Sequence, residues 1–203
     1  MYKLGSNVEE EISPGTNILI SGPPLTGKRS LALDSLAEGT RNGDGAIIVT
    51  TKDGADRVLN DYRERVDIEN KPVAVVDCVT RQQGVGDVTE DERIKYATSP
   101  VDMTGIGINL SEFLEAFYRD RGIERNRVML YSLSTLLMYS DLQTVFRFLH
   151  VFTGRIQSVG GLGLFAMDST AHDDQTKNTL KQLFDGVITT SEDAPPQVNL
   201  GRT

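Results

Sequence analysis

The chain has 203 residues, 29 acidic and 21 basic side chains and one cysteine. This length suits one large α/β core, and no run of about 18 apolar residues is present to cross a membrane. The net charge of −8 disfavours non-specific nucleic-acid binding, which needs a basic surface. The single cysteine excludes an internal disulfide, and the first residues lack the apolar segment of a signal peptide. We therefore expect a cytoplasmic protein with no membrane partner and with nucleic acid as a disfavoured ligand.

The charged residues are unevenly chosen, with 14 arginines against 7 lysines and 17 aspartates against 12 glutamates. This composition is typical of proteins from salt-accumulating organisms, where high salt screens the self-repulsion of an acidic surface. An ordinary acidic bacterial protein is the alternative interpretation.

Apolar, β-branched runs alternate with segments of helical periodicity along the chain. Strands are predicted at 17–21, 46–50, 72–77, 127–131, 163–167 and 186–190, with 198–200 as an edge strand. Helices are predicted at 28–38, 55–65, 110–121, 142–158 and 174–183. This alternation predicts one α/β domain over residues 1–203, with a doubly wound, mostly parallel sheet and helices on both faces.

Residues 81–107 interrupt the alternation. They are polar, contain several glycines and one proline, and have little periodicity. We expect a long loop here that is either functional or mobile, followed by a helix capped at Asn109 or Ser111.

A phosphate-binding sequence of the form G-x-x-x-x-G-K joins the first predicted strand to the first helix. Its residues are Gly22, Pro23, Pro24, Leu25, Thr26, Gly27 and Lys28. Backbone N–H groups of such a loop surround phosphate oxygens, and the helix N-terminus favours an anion. Lys28 would contact the β- and γ-phosphates, so ATP or ADP is the expected ligand. The alternative is a simple Gly/Pro turn with Lys28 on the surface.

The next position departs from the motif, because Arg29 stands where a Ser or Thr hydroxyl normally ligates Mg²⁺. Arginine has no lone pair for a metal, and Ser30 lies about 100° further round the helix. Arg29 could supply some of the positive charge of the metal, or it could be a solvated helix residue. The predicted nucleotide-binding residues are therefore 22–28 together with Arg29 and Ser30, and the need for magnesium is left open.

These motifs together resemble the KaiC-like branch of the RecA superfamily, particularly its short single-domain members from salt-loving archaea. The resemblance covers nearly the whole chain. Besides the phosphate loop, it rests on residues 46–53 (AIIVTTKD), on residues 127–136 (RVMLYSLSTL) as the Walker B region, and on residues 99–107 (SPVDMTGIG). It implies a RecA-like fold and a bound nucleotide.

The resemblance also shows where catalytic groups are altered. It implies an Asp at the end of the Walker B strand, where this chain has Tyr131, and paired glutamates after the second strand, where it has Lys52 and Asp53. Asp53 could partly replace the catalytic glutamate. Losing one positioned group typically costs ~10²–10³ in rate, so the altered positions together predict weak or absent hydrolysis.

Three further residues are candidates at strand ends. Asp77 and Asp168 could each hold a metal or serve as cap or turn residues. His172 could sense the γ-phosphate, although the same segment is also consistent with a helix cap at Asp173.

The sequence thus supports three hypotheses. The leading one is a nucleotide-binding regulatory or signalling protein with little hydrolysis and a protein partner still to be identified. The second is an active ATPase working as a homo-oligomeric ring, with Arg-rich segments such as 119–121 and 125–127 acting across the interface. The third is a recombination mediator that binds single-stranded DNA.

Overall fold

The computed structural model describes residues 1–5, 8, 10–84, 88 and 91–201. Its strands, in chain order, are β1 Tyr2–Lys3, β2 Glu11–Ile12, β3 Thr16–Gly22, β4 Gly45–Thr50, β5 Val73–Asp77, β6 Ile94–Tyr96, β7 Asn126–Tyr131, β8 Leu162–Asp168, β9 Gly186–Thr189 and β10 Gln197–Leu200. Its helices are α1 Lys28–Arg41, α2 Ala55–Arg63, α3 Thr80–Gln83, α4 Met103–Arg121, α5 Leu133–Tyr139, α6 Leu142–Ser158 and α7 Asp174–Lys181.

Eight strands form one sheet in the order β10-β9-β3-β8-β7-β4-β5-β6, and β1 pairs with β2 separately. Every neighbouring pair in the large sheet is parallel except β10 with β9. The predicted doubly wound, mostly parallel sheet is therefore confirmed, with 197–200 as its antiparallel edge. Since parallel strands end at one edge, the loops after β3, β4, β7 and β8 lie together.

The continuous apolar strands supply a core on each face of the sheet. Ile18 and Ile20 pack on the side of α1, α2 and the β1–β2 hairpin, whereas Leu19 packs on the side of α4, α5, α6 and α7. This two-sided burial explains why these strands are apolar throughout rather than alternating. No helix among the described residues is both long and apolar enough to cross a membrane.

The prediction of one long loop at 81–107 is wrong for half of the described residues in that range, because they form the end of α3, β6 and the first part of α4. Helix α4 begins at Met103 and is capped by Asp102, which accepts a hydrogen bond from the Gly105 N–H, and not by Asn109 or Ser111. Gly107 lies inside this helix, and a Cβ there would be 2.9 Å from Nη1 of Arg155. Residues 85–87, 89 and 90 of the predicted loop lie outside the described residues.

An ion network, which we call the amino-end cluster, joins the buried Asp44 and Arg127 with the more exposed Arg125, before and at the start of β4 and β7. The Asp44 carboxylate accepts from Nε of both arginines at 2.9 Å. Arg127 is only 2% exposed and also donates to the backbone oxygens of Lys3 and Ser35. The expectation that Arg127 acts across a subunit interface is therefore wrong, since its guanidinium is enclosed by its own chain.

Candidate functional site

The phosphate loop spans from Gly22, the last residue of β3, to Lys28, the first residue of α1. Strand β3 is internal to the sheet, with β8 on one side and β9 on the other. The loop therefore lies over the carboxyl ends of the central strands, where open α/β sheets bind ligands. Helix α1 has 14 residues, so its N-terminus presents unpaired N–H groups and partial positive charge at this loop.

The position of Gly22 has no room for a side chain. A Cβ there would lie 2.1 Å from Oγ1 of Thr190 and 2.5 Å from its carbonyl oxygen. Thr190, at the end of β9, also shares a hydrogen bond of 2.6 Å with the hydroxyl of Thr26, and Thr26 bonds the Pro23 carbonyl at 2.8 Å. These contacts fix the loop against β9 from a point 164 residues further along the chain.

The outer part of the loop has an unusual backbone. Gly27 has φ of 81° and Leu25 has φ of 64°, in the left-handed region that disfavours most L-residues. The Leu25 side chain is fully exposed at 100%, and the space beside Gly27 is open. The loop is therefore held in its shape by Gly22 and the threonines, while its outer surface stays accessible to a ligand.

Lys28 lies at the centre of the site. It is 8% exposed, and its ammonium group donates to the carbonyl oxygens of Gly22, at 2.8 Å, and of Pro23. Burial lowers the pKa of this ammonium group, while nearby Asp168 opposes that shift. The loop thus encloses a buried cation whose hydrogen-bond acceptors are neutral carbonyl groups.

Arg29 begins a second group of charges, which we call the loop cluster: Arg29, Asp53, Arg57 and Asp61. Nη2 of Arg29 lies 2.7 Å from Oδ2 of Asp61, and its Nε lies 3.8 Å from Oδ2 of Asp53. The other Asp53 oxygen faces Arg57 at 3.4 Å. Asp53, the candidate catalytic carboxylate, is therefore shared between two arginines.

Tyr131 closes the site at the end of β7. The Arg29 guanidinium lies 6.0 Å from the centre of its ring and the Lys52 ammonium lies 5.8 Å from it. Both distances are within the range of cation–π attraction. The structure thus brings the altered positions 29, 52, 53 and 131 close to one another beside the loop.

The residues in this space do not fit a magnesium ion held as the family resemblance implies. A guanidinium offers no lone pair, and Tyr131 replaces the expected carboxylate. Within the described parts of the chain, no group of three or more His, Cys, Asp or Glu side chains is arranged to hold a metal ion. The Ser30 hydroxyl, one position late, bonds Asp34 on the exposed side of α1 at 3.2 Å.

The two strand-end aspartates have different surroundings. Asp77 is fully buried, and its carboxylate accepts from three backbone N–H groups and the Thr80 hydroxyl, which makes it a turn residue. Asp168 lies opposite Gly22 in the β3–β8 pairing and is partly exposed. Burial raises its pKa, but hydrogen bonds from Thr170 and the charges of Lys28 and His172 outweigh burial and hold the pKa below its ordinary value.

His172 lies next to Asp168 and faces α5. Its Nε2 is 2.9 Å from the Ser134 hydroxyl, which in turn accepts from the Asp168 backbone N–H. Burial lowers the pKa of His172, with the two neighbouring aspartates, Asp168 and Asp173, acting in the opposite direction. The predicted cap at Asp173 is confirmed, because its side chain accepts from the Thr176 N–H at 2.7 Å.

A polar cavity of about 300 Å³ adjoins the inner side of the loop, and Lys177 and Lys181 of α7 line it. Lys177 donates to the Ser169 carbonyl at 3.2 Å and pairs with Asp174. These lysines, like Thr190 and Asp61, were not predicted as site residues. Only the helical spacing of 177 and 181, which places both on one face, could have indicated the two lysines. A larger cavity of about 680 Å³ lies at the amino end of β5, beside α4 and away from the phosphate loop, and its lining includes residues 91–93 of the predicted loop and Arg121 of the predicted interface segment.

Comparison with known proteins agrees with this architecture. The model of a family of unknown function matches residues 15–190. Uncharacterized protein PH0321 from Pyrococcus horikoshii, crystallised in complex with an unknown peptide, superposes with a TM-score of 0.70 at 13% identity, covering 95% of this chain and 86% of that one. KaiC-like protein PH0186 from Pyrococcus horikoshii OT3 gives 0.58 at 15% identity, covering 93% and 80%. No relative is found among curated proteins. The sheet and these neighbours show a KaiC/RecA-like fold.

Proposed function

The chain belongs to DUF7504, a family of unknown function, and we propose that it binds ATP or ADP at the phosphate loop with weak or no hydrolysis. In this role it is a regulatory or signalling protein whose nucleotide state is read by a protein partner. Within the KaiC-like proteins, we propose that this chain is related to the short single-domain members from salt-loving archaea.

The observation that carries this proposal is the buried Lys28 ammonium group. A cation that is 8% exposed has lost most of its hydration, and carbonyl oxygens only partly replace it. An anion placed between this ammonium group and the α1 N-terminus would gain from both. A nucleotide phosphate has the charge and the oxygen geometry for that position.

Weak hydrolysis follows from the loop cluster. Asp53 is the carboxylate closest to the expected catalytic position, but its two oxygens face Arg29 and Arg57. At the end of β7 stands the Tyr131 ring in place of a metal-orienting Asp. Phosphoryl transfer depends on positioned charges around the γ-phosphate, so their replacement favours a protein that holds nucleotide rather than turning it over.

The test is a titration of a fluorescent ATP analogue, in multimolar KCl, against the wild type and Lys28→Ala. Losing one charge-assisted hydrogen-bonding group should weaken binding about 10- to 100-fold. Lys71→Ala, at the opposite end of the sheet, is the matched control and should bind like the wild type. Equal binding by Lys28→Ala, or no binding by the wild type, would refute the proposal. Steady ATP turnover that Lys28→Ala abolishes would refute the non-hydrolytic part and favour the ATPase alternative.

The composition further supports a cytoplasmic protein adapted to high salt, with 29 acidic side chains against 21 basic ones. Because salt screens repulsion within an acidic surface, the unfolding temperature should rise between 0.2 M and 3 M KCl, a range over which the Debye length falls about fourfold. An unfolding temperature that is constant or falls over this range would argue for the ordinary acidic alternative.

A further inference from the structure

The space that a family metal would occupy beside the phosphate loop is reached by a protein cation instead. Arg29 is the second residue of α1, so its side chain starts at the helix end that directly follows the phosphate loop. Its guanidinium extends toward the ends of β4 and β7, with Asp53 at 3.8 Å and the Tyr131 ring at 6.0 Å. It thus lies between the phosphate loop and the strand end that normally carries the metal-side Asp.

We propose that Arg29 takes the place of the magnesium ion, so that the loop binds a nucleoside triphosphate without a divalent cation. This inference rests on the proposed nucleotide binding. A planar guanidinium pairs with phosphate oxygens through two parallel hydrogen bonds. It is permanently charged, so together with Lys28 it neutralises part of the triphosphate charge that a metal would otherwise offset.

The partner that holds Arg29 can be exchanged for phosphate. Asp61 lies on α2, and its side chain is 32% exposed, while that of Arg29 is 25% exposed. Nη2 of Arg29 is buried, and its contact with Asp61 does not form a hydrogen bond of good geometry. Ion pairs between partly exposed side chains contribute little to stability, so a phosphate with more negative charge can displace the carboxylate. Asp61 is therefore a competitor of the nucleotide for the guanidinium, and removing its charge should strengthen binding.

The experiment measures the affinity for a fluorescent ATP analogue in EDTA and in MgCl₂. The wild type should bind equally or more tightly in EDTA. Arg29→Ser, which restores the hydroxyl of the motif, should lose about tenfold affinity in EDTA, the value of one charge-assisted contact, and recover part of it with Mg²⁺. Asp61→Asn should bind more tightly than the wild type in EDTA. Arg41→Ser, the same substitution in the last turn of α1, is the matched control and should behave like the wild type.

The outcomes separate this inference from the nucleotide proposal itself. One outcome is that the wild type binds the analogue in MgCl₂ but not in EDTA, and that Lys28→Ala does not bind in MgCl₂. That outcome would overturn the role of Arg29 but would still support nucleotide binding at the phosphate loop. Unchanged affinity of Arg29→Ser in EDTA would do the same. Weaker or equal binding by Asp61→Asn would overturn the exchange of partners, and circular dichroism of each variant checks that it is folded. A wild type that binds under neither condition would overturn both proposals.

Discussion

Two arginine–aspartate clusters lie at opposite ends of the same two strands, β4 and β7. The amino-end cluster encloses Arg127, which is 2% exposed and donates to Asp44 and to two backbone carbonyls. The loop cluster holds Arg29, whose side chain is 25% exposed and whose short contact is with Asp61, itself 32% exposed. The same residue types therefore meet very different surroundings within one sheet.

The difference lies in how many partners each guanidinium has and whether solvent can replace them. In the amino-end cluster both Asp44 oxygens are used by arginines at 2.9 Å, and the Tyr2 ring lies 4.3 Å from the Arg125 guanidinium. Arg125 is itself 46% exposed, but the enclosed charge of Arg127 cannot change partners without being left buried and unpaired. In the loop cluster Nη2 of Arg29 is buried but makes no hydrogen bond of good geometry, and the side chain as a whole is 25% exposed, which leaves Arg29 able to turn to a ligand.

The largest effect should come from breaking the enclosed cluster. Asp44→Asn leaves Arg127 buried without its carboxylate, and removing one partner of a buried pair typically costs about 3–5 kcal/mol. Asp61→Asn, in the loop cluster, should change the free energy of unfolding by about 1 kcal/mol or less. Urea unfolding of both variants at one KCl concentration measures the contrast. Losses of similar size would mean that the two clusters do not differ as the burial of their arginines implies.

Substituting a closely packed glycine at each end of the sheet should distinguish effects on stability from effects on nucleotide binding. A Cβ on Gly39 would lie 2.3 Å from Nε of Arg127, and a Cβ on Gly22 would lie 2.1 Å from Oγ1 of Thr190. Each Gly→Ala change should destabilise by about 1–3 kcal/mol through overpacking. Of the two variants, Gly22→Ala alone should also lose affinity for the ATP analogue, because it displaces the loop.

Gly154→Ala provides the control for this pair. Gly154 lies within α6, and nothing is within 4 Å of a Cβ built there. Alanine in that open helical position should be neutral or stabilise by up to about 1 kcal/mol. Loss of ATP-analogue binding in Gly39→Ala at a temperature where that variant is folded would contradict the separation between the two ends.

The sequence alone predicts the sheet and the phosphate loop because both depend on local patterns. Apolar runs such as 46–50 and 73–77 can only be covered on both faces, and the spacing of Gly22, Gly27 and Lys28 is itself the motif. The start of α4 could not be predicted in this way. Gly105 and Gly107 read as loop residues, whereas in the structure they make room for Asp102 and Arg155.

The residues that contact the site residues could not be predicted from the sequence for a different reason. Thr190 contacts Thr26 across 164 residues, and Asp61 reaches Arg29 from the middle of a helix whose own pattern gives no sign of it. Asp77 and Asp168 both end a strand, so the sequence does not distinguish them. In the structure Asp77 is buried and bonds its own turn, whereas Asp168 is partly exposed and lies near Lys28. Such distinctions depend on packing between elements, which no local pattern contains.

The smallest effect should appear as a pH dependence at the loop end. Burial lowers the pKa of His172 in the folded chain, while an unfolded histidine titrates near about 6.5. Below about pH 6.5 the unfolded state therefore binds more protons than the folded state. The stabilisation that comes from the neutral His172 side chain is complete above that pH and is lost as the pH falls below it. His172→Gln, which keeps a polar group for Ser134, should reduce the fall in unfolding temperature between pH 7.5 and 5.5.

The only other histidine in the sequence, His150, supplies the control. It is exposed on α6, so His150→Gln should leave the pH dependence of the wild type unchanged. Carboxylates titrate at lower pH and are present in all three proteins, which makes the difference between the two variants specific to one imidazole. An identical pH dependence in His172→Gln and the wild type would mean that the histidine is solvated. The loop end would then present its charges to solvent even more openly than the exposure of Arg29 and Asp61 implies.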